Sequence, residues 1–197
     1  MEYSQNTSPT LIDKIKNQYD EQSWAQFIEA YEKYIYIIVD KISPGHDIDD
    51  IVQEVLLRLW KSLPNFNYHP EKCKFRSWMG VIIRNTLNNY HRSKYKQRKI
   101  IDDYSKYDIE SHKKDDLSDI IETAWQEYIT NLAFSRIEHT FSGKAIECFN
   151  MFLDGSHVNE IMEKLDLKAN SAYVLKNRVK DQLLKEIRIL NFEIGGA

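Results

Sequence analysis

The stretch that decides the fold runs from residue 47 to residue 99 and contains two contrasting segments. Residues 47–63 read DIDDIVQEVLLRLWKSL, and residues 75–99 read FRSWMGVIIRNTLNNYHRSKYKQRK. Residues 64–74, which include two prolines, separate them. Both segments repeat apolar residues at helical spacing, so we expect two amphipathic helices joined by a loop.

Positive charge is concentrated in the second segment. From Glu71 to Lys99 there are nine Lys or Arg and one acid, a local charge of +8, whereas the whole chain has a net charge of −3. Charge concentrated on one element is typical of a polyanion site. Arginine binds phosphate and asparagine can hydrogen-bond a base, so the outer stripe of this helix suits nucleic acid. The candidate DNA-binding residues are Ser77, Arg84, Asn85, Asn88, Arg92, Lys94 and Lys96.

The first segment has an apolar pair on the side opposite its predicted core. Asp47 is placed to cap this helix, and the acids of its first turn suit the helix dipole. Leu57 falls among charged residues, with Trp60 at the border. Single exposed leucines are common, but a Leu/Trp pair within a charged rim is also typical of a protein-docking surface. The candidate docking residues are Asp50, Gln53, Glu54, Leu57, Trp60 and Lys61.

Composition indicates an ordinary globular protein of 197 residues, with 42% apolar and 29% charged residues. No apolar stretch is long enough for a membrane span, and the two cysteines are far apart in the sequence. We therefore expect a reduced, cytoplasmic protein with no metal site and no cofactor.

Helical periodicity recurs along the chain, and no two-residue alternation stands out. Residues 100–123 hold eight acids against three lysines and lack periodicity, which is typical of a flexible linker. We predict an all-α protein of two small helical domains, residues 1–99 and 118–197, joined by an acidic linker over 100–117. Helices are expected over 22–42, 118–139, 143–153, 156–165 and 170–190, and the last seven residues, NFEIGGA, are expected to fray.

A helix-turn-helix pattern lies near the C-terminus. A short helix over 156–165 is followed by DLKA and then by a long helix from Asn170. This arrangement is typical of a DNA-binding helix-turn-helix, although plain helical hairpins share it and the turn lacks the usual glycine. The candidate DNA-binding residues are Asn170, Ser171, Tyr173, Val174, Asn177 and Arg178.

Together, residues 20–99 and 118–190 resemble a bacterial RNA polymerase sigma factor of the extracytoplasmic-function (ECF) group. The most specific part of the resemblance is the run from DDIVQEVLLRLW through FRSWMGVIIRNTLNNY, which is similar to the region 2 of that family. The segment NSAYVLKNRV is similar to a recognition helix of region 4. Met162 departs from the family, which usually has a small residue there, and Tyr173 and Leu175 replace residues that are often basic.

The resemblance implies a role for each segment. Residues 50–63 would bind core RNA polymerase, residues 75–99 would bind and help open the −10 promoter element, and residues 170–180 would read the −35 element. Asn85 matches the family position that lines a pocket for a flipped base, whose extrusion costs a few kcal/mol of stacking. The implied protein is a sigma factor that performs no chemistry of its own, with promoter DNA and an anti-sigma factor as further partners.

Two other interpretations remain. A stand-alone helix-turn-helix regulator would bind operators as a dimer, but no heptad pattern is sustained over three repeats. A metal-dependent enzyme would use His46, Asp47, Asp49 and Asp50, but acids in the first turn of a helix more often interact with the helix dipole.

Overall fold

The chain is described here by a computed structural model that covers residues 9–45, 47–66, 75–98, 114–141 and 143–194. Within these ranges all regular structure is helical, which confirms the predicted all-α fold class. The α-helices are α1 Pro9–Ile15, α2 Glu21–Ile42, α3 Ile48–Ser62, α4 Phe75–Arg98, α5 Lys114–Ile137, α6 Ala145–Leu153, α7 Val158–Leu165 and α8 Ala169–Glu193.

The chain divides into two compact units. Unit 1 comprises Met1–Tyr128 together with Phe192–Ala197, and unit 2 comprises Ile129–Asn191. The division therefore falls within α5, whereas the sequence grouped residues 118–128 with the second domain. Residues 100–113 of the predicted linker lie outside the described residues.

Unit 1 has an aromatic core centred on α2. The rings of Phe27, Tyr31 and Phe75 are buried and lie 4.9–6.1 Å apart, edge-on or tilted. The buried Tyr34 hydroxyl donates a hydrogen bond to the carbonyl of Ile121 at 3.1 Å. Burial raises the pKa of Tyr34, so this hydroxyl stays protonated and available as a donor. The tyrosines thus fill the core without leaving their polar ends unpaired.

The first half of α5 packs within unit 1. The Trp125 ring lies 5.1 Å from the Tyr34 ring, and the guanidinium carbon of Arg76 lies 4.2 Å from the centre of the Trp125 ring. At Gly80 on α4, a Cβ atom would overlap the side chain of Ile121. Glycine at this position therefore allows α4 and α5 to approach closely.

Two features at the ends of the chain differ from the sequence analysis. Helix α1 was not predicted, yet Ile12 and Ile15 on it are fully buried. The prediction that residues 191–197 fray is wrong for the described part, because α8 continues to Glu193 and Ile194 is buried. The Ile194 carbonyl accepts a hydrogen bond from the Tyr31 hydroxyl at 2.9 Å, a contact between residues far apart in the sequence.

Unit 2 contains two small apolar clusters. One is formed by Ile137, Ala145, Phe149 and Val179, and the other by Cys148, Ile161, Leu165 and Ala172. Helix α6 ends at Leu153, Gly155 just beyond it has a φ of +83°, and the amide of Ser156 donates to the carbonyl of Met151 at 2.9 Å. This left-handed glycine closes α6 and turns the chain toward α7.

Candidate nucleic-acid and protein-binding surfaces

Helix α3 separates a buried side from an exposed one. Ile51, Val52, Val55 and Leu59 are buried, as their spacing predicts. On the opposite side, Leu57 is 43% exposed and Trp60 is 37% exposed. The structure thus brings the six candidate docking residues to the outer side of α3, with Glu54 half-buried and paired with Arg58 at 2.8 Å. We call this set the α3 outer face: Asp50, Gln53, Glu54, Leu57, Trp60 and Lys61.

The role predicted for Asp47 as a side-chain cap is wrong. Asp47 precedes α3, but its carboxylate makes no capping hydrogen bond. It accepts instead from the hydroxyl of Tyr90 at 2.9 Å and from the ammonium group of Lys94. The hydrogen bond to Asp47 raises the pKa of Lys94 above its ordinary value. Lys94, a candidate phosphate contact, is therefore held by an acid in this structure.

Helix α4 also has an inner and an outer side. Phe75, Met79, Ile83 and Leu87 are buried. Trp78, Ile82 and Tyr90 were expected on the core side as well, but they are half-buried because they lie at its edge. The Trp78 ring stacks on Phe66 at 4.0 Å.

The structure places the candidate DNA-binding residues of α4 at different depths. Ser77, Asn85 and Arg92 are exposed, and Arg84 and Asn88 are half-buried. The Oδ1 atom of Asn88 is buried and has no hydrogen-bond partner among the residues that the structure describes. The side chain of Lys96 lies outside the described residues.

An open groove of about 460 Å³ lies between α3 and α4. Asn85, which the resemblance assigns to a base pocket, is one of its lining residues. Two cations, an amide and an apolar side chain line one depression together with the Glu54 carboxylate, which pairs with Arg58 at 2.8 Å. Lys61 and Asn85, with Arg58 once it leaves Glu54, form a suitable combination for a base and its phosphate. The sequence analysis missed Arg58, which sits on a different helix from Asn85. We call this set the α3–α4 groove: Glu54, Arg58, Lys61, Ser62, Ile82 and Asn85.

The turn between α7 and α8 forms without glycine. Asp166 ends α7 with a φ of +50°, and Leu167 donates its amide to the carbonyl of Met162 at 3.1 Å. Aspartate is one of the residues that tolerate this left-handed conformation. Leu167 packs on the cluster around Ile161, so the turn is fixed by both a hydrogen bond and an apolar contact.

Helix α8 exposes the predicted recognition residues on one side. Ala172 and Val179 are buried on the other. The ring of Tyr173 lies 5.6 Å from that of Phe152 on α6, and the Lys176 ammonium lies 4.5 Å from the same Phe152 ring. Sequence reasoning missed Phe152, because only the fold brings α6 beside this face. We call the exposed set the α8 outer face: Asn170, Ser171, Tyr173, Val174, Asn177 and Arg178.

Other site types find no support within the described ranges. No group of three or more His, Cys, Asp or Glu residues there is arranged to hold a metal ion. His46, which the metal-enzyme interpretation needs, lies outside those ranges. None of the described helices combines the length and the apolar character that a membrane span requires.

Comparison with known proteins finds similarity in the part of the chain that contains α2 to α4. Residues 27–97, which include α3 and nearly all of α4, match the family Sigma-70 region 2. The ECF RNA polymerase sigma-E factor of Haemophilus influenzae is 23% identical over 115 residues, which cover 56% of this chain and 59% of that protein. The proteins of the same name from Escherichia coli K12 and Salmonella typhimurium LT2 are 24% identical over 86 residues, 44% of this chain and 43% of theirs.

The chain thus spans about two fifths to three fifths of the length of the curated relatives that it matches. The region 2 match coincides with the part of the chain that carries the α3 outer face and the α3–α4 groove. Residues 27–97 are therefore similar to Sigma-70 region 2, and the relatives that the chain matches are ECF sigma factors.

Proposed function

We propose that this chain directs core RNA polymerase to specific promoters and helps to open the −10 element. The observation that carries the proposal is the side-by-side arrangement of two chemistries in unit 1. The exposed pair Leu57 and Trp60 suits a protein surface, and the adjoining groove lined by Arg58, Lys61 and Asn85 suits a nucleic-acid strand.

Polymerase binding is assigned to the α3 outer face. An exposed leucine and tryptophan gain most when a partner removes both from water, and tryptophan is enriched among residues that dominate binding energy. The surrounding Asp50, Gln53 and Lys61 are exposed and would form the polar rim.

Binding of the −10 element is assigned to α4 and the α3–α4 groove. Asn85 would hydrogen-bond an extruded base, while Lys61 would neutralise a phosphate beside it and Arg58 would do so after it exchanges Glu54 for DNA. Ser77, Arg84, Asn88 and Arg92 extend the polar stripe along the same helix. Lys94 and Lys96 would add phosphate contacts, Lys94 only after it exchanges Asp47 for DNA.

Binding of the −35 element is assigned to the α8 outer face. In a helix-turn-helix the second helix enters the major groove, and residues near its start contact base edges. The exposed residues Asn170, Asn177 and Arg178 provide donors and acceptors for that contact.

The overall charge fits a subunit that acts only within a complex. Because non-specific DNA affinity depends mainly on phosphate neutralisation, a chain of net charge −3 should bind free DNA weakly until polymerase presents it. We further propose that the chain is cytoplasmic, has no catalytic activity of its own, and is inhibited by an anti-sigma factor that covers these exposed surfaces.

Run-off transcription tests the proposal. Core polymerase should initiate from a random promoter library only when this chain is added, and the selected promoters should share two elements. Leu57→Asp should abolish polymerase binding and transcription. Leu184→Asp is the matched control, because Leu184 is 42% exposed, lies in unit 2 and should leave polymerase binding unchanged. Tight, specific operator binding without polymerase would instead favour a stand-alone regulator.

A further inference from the structure

The centre of the α8 outer face is apolar. Tyr173 is 46% exposed and Val174 is 63% exposed, and they lie between Asn170 on one side and Asn177 and Arg178 on the other. Val174 is mostly exposed and so gains little from burial, and its β-branched side chain makes it a poorer helix former than alanine. Helix stability alone would therefore not select valine here.

A second observation concerns the support beneath this pair. The ring of Phe152 lies 5.6 Å from the ring of Tyr173, and Phe152 packs on the cluster around Ile161. The contact restricts the motion of the tyrosine ring while leaving nearly half of it exposed. An aromatic surface held in place in this way loses little conformational entropy when it binds a ligand.

We propose that Val174 and Tyr173 read the methyl groups of thymines in the upstream promoter element. The inference rests on the proposed function, in which α8 enters the major groove of that element. Among the four bases, thymine alone presents a methyl group in the major groove, and apolar side chains contact it directly.

The same pair would discriminate against G·C pairs. Cytosine carries a hydrogen atom at C5 where thymine carries its methyl group, so at a C·G pair Val174 loses the apolar contact and lies close to the N4 amino donor, with which it cannot pair. Covering such a group with an apolar side chain leaves it unsatisfied, which costs binding free energy. Asn177 and Arg178, one turn further along α8, can hydrogen-bond the neighbouring base pairs.

The experiment uses a promoter selected from a random library by core polymerase with the full chain. Each thymine of its upstream element is replaced singly by deoxyuridine, which removes the C5 methyl group and changes no hydrogen-bonding group. Loss of one buried methyl contact should lower promoter affinity about fourfold at one or two positions.

The Val174→Ala variant tests whether Val174 is the residue that contacts the thymine methyl group. It should lower affinity for the thymine promoter by a similar factor and should no longer distinguish deoxyuridine from thymine at one position. Its thermal unfolding temperature should stay the same or rise, a combination that a purely structural role of Val174 would not produce. Leu184→Ala, at an exposed position later on α8, should keep the full thymine preference.

The outcomes separate this inference from the proposed function. If polymerase and the chain select promoters but deoxyuridine has no effect at any position, the methyl-reading inference is wrong and the proposed function stands. The same holds if Val174→Ala keeps the full thymine preference. If no promoter is selected at all, both the proposed function and this inference are wrong.

Discussion

The carboxylate of Asp47, at the start of α3, accepts a hydrogen bond from the hydroxyl of Tyr90 on α4 at 2.9 Å. Lys94, one turn further along α4, donates to the same carboxylate oxygen, and its ammonium group lies 4.9 Å from the centre of the Tyr90 ring. An acid on one helix thus holds a cation of the proposed DNA-binding helix. DNA phosphate and Asp47 would compete for Lys94.

The Asp47→Asn substitution should strengthen non-specific DNA binding by the chain. With its carboxylate partner gone, the pKa of Lys94 should fall toward its ordinary value while the amine stays charged at pH 7 and free to bind phosphate. One added phosphate contact should steepen the plot of log affinity against log salt by roughly 0.7–0.9. A salt titration of fluorescence anisotropy measures this slope.

Asp49→Asn is the control for that experiment. Asp49 is exposed in the first turn of α3, so the substitution removes the same charge without releasing Lys94. If both variants change the slope equally, general charge explains the effect and the competition between Asp47 and phosphate does not occur.

The start of α2 should be less stable in acid. The Asp20 carboxylate accepts from the amide of Ser23 at 3.0 Å and from its hydroxyl at 2.8 Å. The backbone hydrogen bond, followed by the hydroxyl bond, lowers the pKa of Asp20. Because this pKa is lower in the folded chain than in the unfolded chain, the stabilisation is present above the unfolded pKa and is lost as pH falls through the folded one.

Unfolding of the Asp20→Ala variant measures that contribution. The variant should be less stable than the natural chain at pH 7, and the difference should shrink as the pH falls below about 4. Asp20→Asn keeps a capping oxygen that does not titrate in this range, so its stability relative to Asp20→Ala should be nearly independent of pH. A constant deficit of Asp20→Ala down to pH 2 would contradict this explanation.

Close packing of α4 and α5 should make Gly80 and Ile121 energetically coupled. Gly80→Ala gains helix propensity but forces Ile121 to move, so we expect a net loss of about 1 kcal/mol in the free energy of unfolding. In the Ile121→Ala background the added methyl group has room, and the same substitution should become neutral or stabilising. A double-mutant cycle from denaturant unfolding checks this prediction. If the changes in the free energy of unfolding are additive, the methyl group added at position 80 does not contact Ile121.

The turn before α8 should tolerate glycine better than a branched residue. Asp166 has a φ of +50°, so Asp166→Gly removes conformational strain and should leave stability unchanged or slightly higher. Asp166→Val should destabilise unit 2 by about 1–3 kcal/mol, because a β-branched residue fits the left-handed region poorly. Thermal unfolding of the two variants tests this, and equal stabilities would contradict the left-handed conformation.

The sequence predicted features that depend on local periodicity. The buried side of α3, the exposed positions of Leu57 and Trp60, and the helix pair α7–α8 all follow from spacing within one segment. The contacts between distant segments did not follow. Asp47 was expected to cap its own helix because it directly precedes that helix. Its actual partner, Tyr90, is 43 residues away, so spacing within one segment could not reveal it.

The same reason explains the other differences. Ile194 was assigned to a frayed tail because it lies near the end of the sequence, but its carbonyl accepts a hydrogen bond from the distant Tyr31 hydroxyl. Arg58 on α3 lines the α3–α4 groove beside Asn85 on α4. Phe152 on α6 contacts the ring of Tyr173 on α8. Periodicity identifies which side of a helix is exposed, and it does not identify what another helix adds to that side.

Equilibrium binding of the full chain to purified core polymerase at low ionic strength tests most directly whether the α3 outer face binds that enzyme. We expect a saturable one-to-one complex for the natural chain and for Leu184→Asp, and binding weaker by at least about thirtyfold for Leu57→Asp, since a hot-spot contact contributes about 2–4 kcal/mol. Circular dichroism should show that all three chains are folded. A folded natural chain that forms no complex with core polymerase would contradict the account.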